Sequence, residues 1–408
     1  MTSAVRSVTR DEMAAFARAE FTAFGVHVPE ETPAWAFEDL DRTLAAFDGD
    51  EVVGTTRAYS MELTLPGGAC IPVAAVSAVG VLPTHRRRGL LTAMMRAQLD
   101  DVTSRGEHIA ALTASEGGIY RRFGYGIATM HVSFELDRRH AAFIDGPRGE
   151  GQCRLVDDGE ARSLLPAIFD RARRTFPGAM SRPELWWPSQ YFAFDESKVG
   201  SGKAFHVVHV GDDGEPDGYV TYSLEERWLR GISRHRLGVR DLQSVTPDAR
   251  RALWRFICGV DLVETIATWN IPVDEPLRWM LSESRHMLVD RFGDHLWLRI
   301  VDVPAALAAR NYASDGEVVL DVRDGFRPSS GGCFRLHVDG GKASCERVDG
   351  ARADLVLDTP ELASTYLGGV TFGELARAGL VEERTPGAIT RADTVFASTP
   401  APYAATWF

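Results

Sequence analysis

The chain has 408 residues, a length that predicts two or three domains rather than one core. Its 45% hydrophobic and 25% charged residues are typical of a soluble globular protein, and no apolar run approaches the roughly 20 residues of a membrane span. Five scattered cysteines without a CxxC pair argue against a zinc site or a disulfide framework. The net charge of -12 argues against nucleic acid and anionic membranes as partners and favours cationic substrates. Because the N-terminus lacks an apolar signal segment, we expect a cytoplasmic protein, with export by another route left open.

The first third of the chain predicts a helix, then antiparallel strands, then a second helix. Thr9 and Glu12 form a capping box for the first helix. Turn residues at 48–49 and 66–68 separate β-rich runs. A basic turn then opens the second helix, and a short strand at 109–113 and a short helix follow. This order predicts an α+β or mixed α/β fold.

The middle of the chain repeats this plan. Two markers recur 164 residues later, Gly54 as Gly218 and Pro83 as Pro247. The shared offset predicts a duplicated fold, with domains at 1–149 and 150–298. Gly89 of the first copy becomes Leu253 in the second, and a leucine would keep the backbone away from a phosphate. We therefore expect the second copy to be inactive.

Residues 299–408 predict a third domain of a different kind. Four short β-like runs are separated by Asp/Gly turns, at 316–323, 332–339, 342–348 and 353–358. Two helical stretches follow, at 361–369 and 371–379. The sequence ends in an apolar, aromatic segment, whereas chain ends are usually polar and frayed. We expect this tail to be packed.

The basic turn THRRRG, residues 84–89, has the features of an anion site. A helix begins directly after it, and a helix N-terminus offers free N–H groups and a positive dipole end. Arginine adds forked donors for phosphate oxygens, and Gly89 lets the main chain approach closely. The turn is therefore suited to a pyrophosphate, although a solvated basic helix start would show the same pattern.

A second segment, SEGGIYRRFGYG, places Tyr120 near the start of a short helix. Tyr120 follows Gly89 across one helix and one strand. Taken alone, it would be read as a half-buried core tyrosine.

Together these segments resemble the GNAT acetyltransferases. RRRGLL resembles their phosphate-binding motif through Arg86 and Gly89, although Leu91 stands where a small residue is usual. IYRRFGY is similar to their later tyrosine segment, through Tyr120 and the Gly124-Tyr125 pair. With the duplicated middle and the aromatic tail, the whole chain resembles the Eis (enhanced intracellular survival) family, in which RRRGLL is typical.

The resemblance implies an architecture, an assembly and a substrate class. Eis proteins have a GNAT domain, a degenerate second GNAT-like domain and a sterol-carrier-protein-like C-terminal domain, here at 299–408. They form homohexamers arranged as two trimers. They transfer acetyl from acetyl-CoA to amines of aminoglycosides, often at several positions, and to protein lysines. No metal is implied.

The resemblance also assigns roles to residues of this chain. Tyr120 would be the general acid, and the terminal carboxylate of Phe408 the general base. Acetyl-CoA would be bound by Val79, Gly80, Val81, Arg86, Arg87, Arg88, Gly89, Leu90, Leu91, Thr92, Ser115 and Glu116.

The chemistry favours direct transfer in a ternary complex, because no Cys, Ser or His is arranged as a nucleophile. The amine must lose a proton, whereas an α-carboxylate has a reference pKa of about 3.5. Phe408 would thus act after burial raises its pKa, through a water, or by binding the ammonium group electrostatically. His85 and His108 are alternative bases, but the first fits a role in the turn and the second a structural one.

Three other functions stay open at this stage. A protein lysine acetyltransferase would use the same chemistry on another substrate. A lipid carrier built on residues 299–408 is disfavoured, because the helices there have few large apolar residues to line a tunnel. A non-catalytic acetyl-CoA-binding protein is disfavoured by Tyr120 and by the free C-terminus.

Overall fold

The computed structural model describes residues 4–27, 39–146, 151–193, 202–348 and 350–408. The chain divides into two compact units. The first consists of Met1–Thr129, His295–Ser398 and Trp407–Phe408, and the second of Met130–Asp294 and Thr399–Thr406. The units therefore divide the chain differently from the predicted boundaries after 149 and 298.

The described residues form strands and helices in the following order. The strands are β1 (Ala4–Ser7), β2 (Thr43–Asp48), β3 (Glu51–Thr64), β4 (Cys70–Val81), β5 (Ile109–Thr113), β6 (Gly126–Ile127), β7 (Met130–Asp137), β8 (Gln152–Val156), β9 (Phe205–Val210), β10 (Pro216–Glu225), β11 (Trp228–Leu229), β12 (Ile232–Ser233), β13 (His235–Ser244), β14 (Val263–Thr268), β15 (Met287–Asp294), β16 (Leu296–Ile300), β17 (Gly316–Arg323), β18 (Gly332–Asp339), β19 (Lys342–Arg347), β20 (Leu355–Asp358) and β21 (Val381–Glu383). The α-helices are α1 (Met13–Ala23), α2 (Leu90–Ser104), α3 (Asp158–Arg173), α4 (Pro247–Gly259), α5 (Leu277–Met280), α6 (Val303–Ala309), α7 (Thr359–Thr365), α8 (Phe372–Arg377) and α9 (Ala388–Phe396). None of these helices combines the length and the apolar character that a membrane crossing requires.

A seven-stranded sheet in the order β1-β2-β3-β4-β5-β16-β6 forms the framework of the first unit. Its neighbours are antiparallel except for β4 and β5, which run parallel. Helix α2 buries Met95, Leu99 and Val102 in the main core cluster of this sheet. Helix α1 buries Phe16 in a separate cluster with Phe47. The capping box predicted at Thr9 and Glu12 is present.

The sheet of the second unit has the same order of strands, β8-β9-β10-β13-β14-β7-β15. Again one neighbouring pair, β13 and β14, is parallel. The two sheets exchange their sixth strands. Strand β7 follows β6 in the chain but belongs to the second sheet, and β16 follows β15 but belongs to the first. The duplication inferred from the spacing of glycines and prolines thus extends to the whole sheet topology.

The five-stranded sheet β19-β18-β17-β20-β21 follows in the first unit. All four β-runs predicted between 316 and 358 and both predicted helices are present. Helix α6, strand β21 and helix α9 were not predicted from the sequence. A buried ion pair between Arg299 of β16 and Asp324 after β17 joins this sheet's loops to the first sheet.

Candidate active site

Strand β4 separates from its parallel neighbour β5 at a bulge. Ala78 has a φ of 53°, a left-handed conformation, and the register of β3 against β4 shifts between Thr55 and Arg57. The Thr55 hydroxyl donates to the Ala78 carbonyl at 2.8 Å and so holds the bulge. The described ladder pairs β4 with β5 only along residues 74–76. The backbone groups of residues 79–81 therefore have no β5 partner and can meet a ligand.

The basic turn between β4 and α2 exposes backbone donors. Arg87 has a φ of 63° and Gly89 a φ of 81°, so two of its residues are left-handed. Gly89 is the N-cap of α2 without a side-chain cap, and the first turn of this helix contains no acidic residue. The N–H groups of residues 90–92 therefore lack a helical partner, which is the arrangement that binds phosphate. A Cβ on Gly89 would meet no protein atom within 4 Å.

Two side chains of this turn contact Thr84 and lie near Asp48. Arg88 donates to the Thr84 carbonyl at 3.1 Å, and its Nη1 lies 3.8 Å from Asp48. His85 shares a 2.8 Å hydrogen bond with the Thr84 hydroxyl and lies 3.4 Å from Asp48. These contacts fit the expected role of His85 within the turn.

Tyr120 lies between two 3-10 turns, Gly117–Ile119 and Arg121–Phe123, in place of the predicted short helix. Gly124, with a φ of 89°, ends the second turn. The Tyr120 ring is 8% exposed and packs edge-on against Tyr125. Burial, with a smaller contribution from the charge of Glu116, raises the pKa of Tyr120 to about 12. The phenol is therefore protonated at neutral pH and available as a donor.

These features line one cavity of about 610 Å³ within the first unit. Twelve of the predicted site residues line this cavity: Val79, Gly80, Val81, Arg86, Arg87, Gly89, Leu90, Leu91, Thr92, Ser115, Glu116 and Tyr120. Arg88 and Phe408 are not among its lining residues. In the described part of the chain, no group of three His, Cys, Asp or Glu side chains could hold a metal ion.

Five further residues line the cavity without having been assigned to it: Ala23, Phe24, His85, Ile119 and Arg122. Ala23 approaches because residue 80 is a glycine, where a Cβ would lie 2.8 Å from the Ala23 side chain. No local pattern signals this long-range contact. Arg122 had a signal, since it belongs to the same IYRRFGY segment as Tyr120.

The tail is packed, as predicted, and Phe408 lies beside the end of β5. Tyr403, Ala404 and Thr406 are buried. The Thr113 hydroxyl donates to an oxygen of the Phe408 carboxylate at 3.5 Å, and Thr113 precedes Ser115 of the cavity by two residues. His108 is at the other end of β5, where its carbonyl accepts from the N–H of Val301 at 2.8 Å.

The described residues of the second unit contain no counterpart of the candidate anion-binding turn. Helix α4 begins at Pro247, where Thr246 caps it through the N–H of Ala249 at 3.1 Å. Residue 253 therefore lies inside the helix, and Leu253 is fully buried. Strands β13 and β14 also stay paired along five residue pairs. No opening comparable to that between β4 and β5 forms there.

Comparison with known families places these features in a class. Residues 4–128 and residues 178–300 each match a model of the acetyltransferase (GNAT) domain, and residues 303–405 match one of the sterol carrier protein domain. A GCN5-related N-acetyltransferase from Anabaena variabilis shares the fold at a TM-score of 0.84 and 21% identity, covering 100% of both chains. The chain is thus a GNAT-type acetyltransferase with two GNAT domains followed by a sterol-carrier-like domain. The predicted fold class is confirmed.

Full-length relatives define the family more narrowly. The N-acetyltransferase Eis of Mycobacterium tuberculosis is 38% identical to this chain, over 98% of both. The crystal structure of Eis1 from Mycobacterium abscessus matches at a TM-score of 0.89 and 37% identity, covering 99% of this chain and 100% of that one. An uncharacterised N-acetyltransferase of Streptomyces avermitilis is 37% identical over 99% of both chains. The chain belongs to the Eis family of N-acetyltransferases, and the GNAT fold implies acetyl-CoA as co-substrate.

Proposed function

We propose that the 610 Å³ cavity binds acetyl-CoA and that this protein acetylates the amines of aminoglycoside-type substrates. The main support for this proposal is that three features line the same cavity. The freed backbone of residues 79–81 suits an extended pantetheine arm, and the turn ending at Gly89 suits a pyrophosphate. Tyr120 lines the same cavity, where the thioester would lie.

In the proposed reaction, the neutral amine attacks the thioester carbonyl, a C–N bond forms, and the C–S bond then breaks. Backbone N–H groups near Val81 would polarise the carbonyl oxygen. Tyr120 would act as the acid. A phenol with a pKa of about 12 keeps its hydrogen at neutral pH and donates it in a hydrogen bond to the leaving sulfur.

The attacking amine loses a proton to the terminal carboxylate of Phe408 in this proposal. Support comes from the location of this carboxylate, which accepts a hydrogen bond from Thr113 near the cavity wall at Ser115. Since this carboxylate is outside the cavity lining, transfer through one water is the form we propose. The same charge would attract the ammonium form of the substrate.

The substrate class rests on the resemblance to Eis and on the net charge of -12, which favours polycationic substrates. A protein lysine is the alternative, because it offers the same primary amine. We also propose that the chain assembles as a homohexamer of two trimers in the cytoplasm. Exposed apolar side chains on the edge strand β15 support self-association, among them Phe292.

The decisive test measures CoA-thiol release from acetyl-CoA with a panel of aminoglycosides and lysine peptides side by side. It uses the wild type, Tyr120→Phe, and a variant extended by a few residues past Phe408. Rapid turnover with aminoglycosides that both variants lose would support the proposal. Turnover unchanged by the extension would remove the terminal carboxylate from the mechanism. Turnover with peptides alone would favour the lysine substrate.

A further inference from the structure

A second cavity, of about 430 Å³, lies beside the turn that carries Tyr120. Its walls are formed by Gly118, Arg121, Arg122 and Gly124, by residues 323–326 at the end of β17, and by residues 358–360 between β20 and α7, all in the first unit. Arg122 lines both this cavity and the candidate acetyl-CoA cavity. The two cavities therefore share Arg122.

Ion pairs fix the walls of the second cavity. Asp324 of the lining forms a buried ion pair with Arg299. Arg121 Nη1 lies 2.5 Å from Glu361 Oε1, which ties the Tyr120 segment to α7. A cavity held in this way needs little reordering when a ligand enters, which lowers the cost of binding.

The charge balance of the lining leaves two arginines free for a ligand. Arg299 neutralises Asp324, and Glu361 neutralises Arg121. Within the described residues, neither Arg122 nor Arg323 forms an ion pair with a carboxylate. Only Asp358 of the lining opposes these two guanidinium groups, so the cavity carries a net positive charge.

We propose that the second cavity is a phosphate-monoester site formed by Arg122 and Arg323. Guanidinium groups bind phosphate oxygens through forked donors, and an exposed pair without carboxylate partners gives up no ion pair in doing so. Phe326 adds an aromatic wall beside them, braced edge-on by Phe123 at 5.0 Å between ring centres. Such a wall suits the adenosine to which the phosphate monoester of acetyl-CoA is attached.

The phosphate monoester has two sources. It is either the 3′-phosphate of the acetyl-CoA bound in the neighbouring cavity or a free phosphate. The first source rests on the proposed function, because it requires acetyl-CoA in the cavity that Arg122 shares. The second requires only the charge and shape of the second cavity.

Calorimetric binding to the full chain separates these sources. The probes are acetyl-CoA, 3′-dephospho-acetyl-CoA and inorganic phosphate. The proteins are the wild type, Arg323→Gln, Arg323→Lys and a control, Arg335→Gln. Arg335 is an arginine of β18 in the same sheet and lines neither cavity. Arg323 is exposed, and its structural hydrogen bond is made by its backbone carbonyl, so the substitutions leave the fold intact.

If the site holds the 3′-phosphate, the wild type binds acetyl-CoA roughly tenfold more tightly than the dephospho form. Arg323→Gln removes this preference, Arg323→Lys retains part of it, and Arg335→Gln retains it fully. If the site holds free phosphate, both thioesters bind alike, and inorganic phosphate binds the wild type but not Arg323→Gln. The proposal is overturned if Arg323→Gln matches the wild type with all three probes. Failure of the wild type to bind either thioester would instead contradict the proposed function.

Discussion

At the scale of single residues, two neighbouring tyrosines, Tyr120 and Tyr125, differ in their access to the candidate acetyl-CoA cavity. Tyr120 lines the candidate acetyl-CoA cavity, whereas Tyr125 is fully buried. The Tyr125 hydroxyl has no hydrogen-bond partner among the described residues. The two phenols therefore form a matched pair, because one lines the cavity and the other is packed in the core.

Tyr120→Phe should lower kcat by about two to four orders of magnitude, the usual contribution of a positioned acid. Tyr125→Phe should leave kcat almost unchanged, because its hydroxyl donates to no partner. Thiol release under saturating acetyl-CoA measures both. Equal losses in the two variants would show that the effect is structural.

The raised pKa of Tyr120 also predicts the shape of the pH profile. The rate should rise with pH as the substrate amine loses its proton. Because the pKa of Tyr120 is about 12, the phenol stays protonated past pH 10, where an ordinary tyrosine begins to ionise. We expect no loss of kcat/KM near pH 10 in the wild type. If kcat/KM falls near pH 10 in the wild type and this fall is absent in Tyr120→Phe, the raised pKa of Tyr120 is contradicted.

At the scale of elements, the backbone geometry at the start of α2 defines the candidate anion site. Gly89 and Gly106 make this testable, because they flank the same helix with φ values of 81° and 73°. A Cβ would meet no atom within 4 Å at either position. A substitution by alanine thus meets the same backbone strain at both sites, but only Gly89 lines the cavity.

Gly89→Ala and Gly106→Ala should each lower the free energy of unfolding by about 1–2 kcal/mol, the cost of a left-handed L-residue. Gly89→Ala should in addition raise the KM for acetyl-CoA about tenfold, since the Cβ enters the space proposed for the pyrophosphate. Thermal unfolding and steady-state kinetics separate the two effects. An unchanged KM in Gly89→Ala would argue against a pyrophosphate at this turn.

The Arg299–Asp324 pair acts at the level of element packing, by joining β16 to the loop after β17. Asp324→Ala leaves the Arg299 charge buried and should cost about 3–5 kcal/mol of stability. The exposed pair between Arg384 and Glu382 is the control, and Glu382→Ala should change stability by less than about 0.5 kcal/mol. Urea unfolding measures both. Similar values for the two variants would contradict a structural role for the buried pair.

At the scale of the whole molecule, the edge strand β15 of the second sheet exposes several apolar side chains. Leu288, Val289 and Phe292 are 65%, 50% and 63% exposed. An exposed apolar edge strand invites pairing with another chain, so proteins normally protect such edges or use them as interfaces. This edge is our candidate for a contact in the proposed hexamer.

Phe292→Glu should reduce the mass of the assembly measured by light scattering, because a charge would be buried in the contact. Leu155→Glu is the matched control, since Leu155 is 59% exposed on β8 at the opposite edge of the same sheet. Its mass should equal that of the wild type. An unchanged assembly in Phe292→Glu would exclude β15 from the interface.

The sequence by itself determined the features that depend on a few neighbouring residues. Local backbone preferences set the turn glycines, the capping box at Thr9 and Glu12, and the start of α2. Short sequence motifs therefore predicted all three. The shared offset of Gly54 and Gly218 likewise disclosed the duplication.

Only the tertiary structure decided the features that depend on contacts between distant residues. The exchange of β7 and β16 between the sheets is one, because a strand's partner follows from packing and not from its own sequence. The opening beside residues 79–81 is another, since it requires the bulge at Ala78 and the pairing of β5 together. The approach of Phe408 to Thr113 spans 295 positions, a separation that no local pattern encodes.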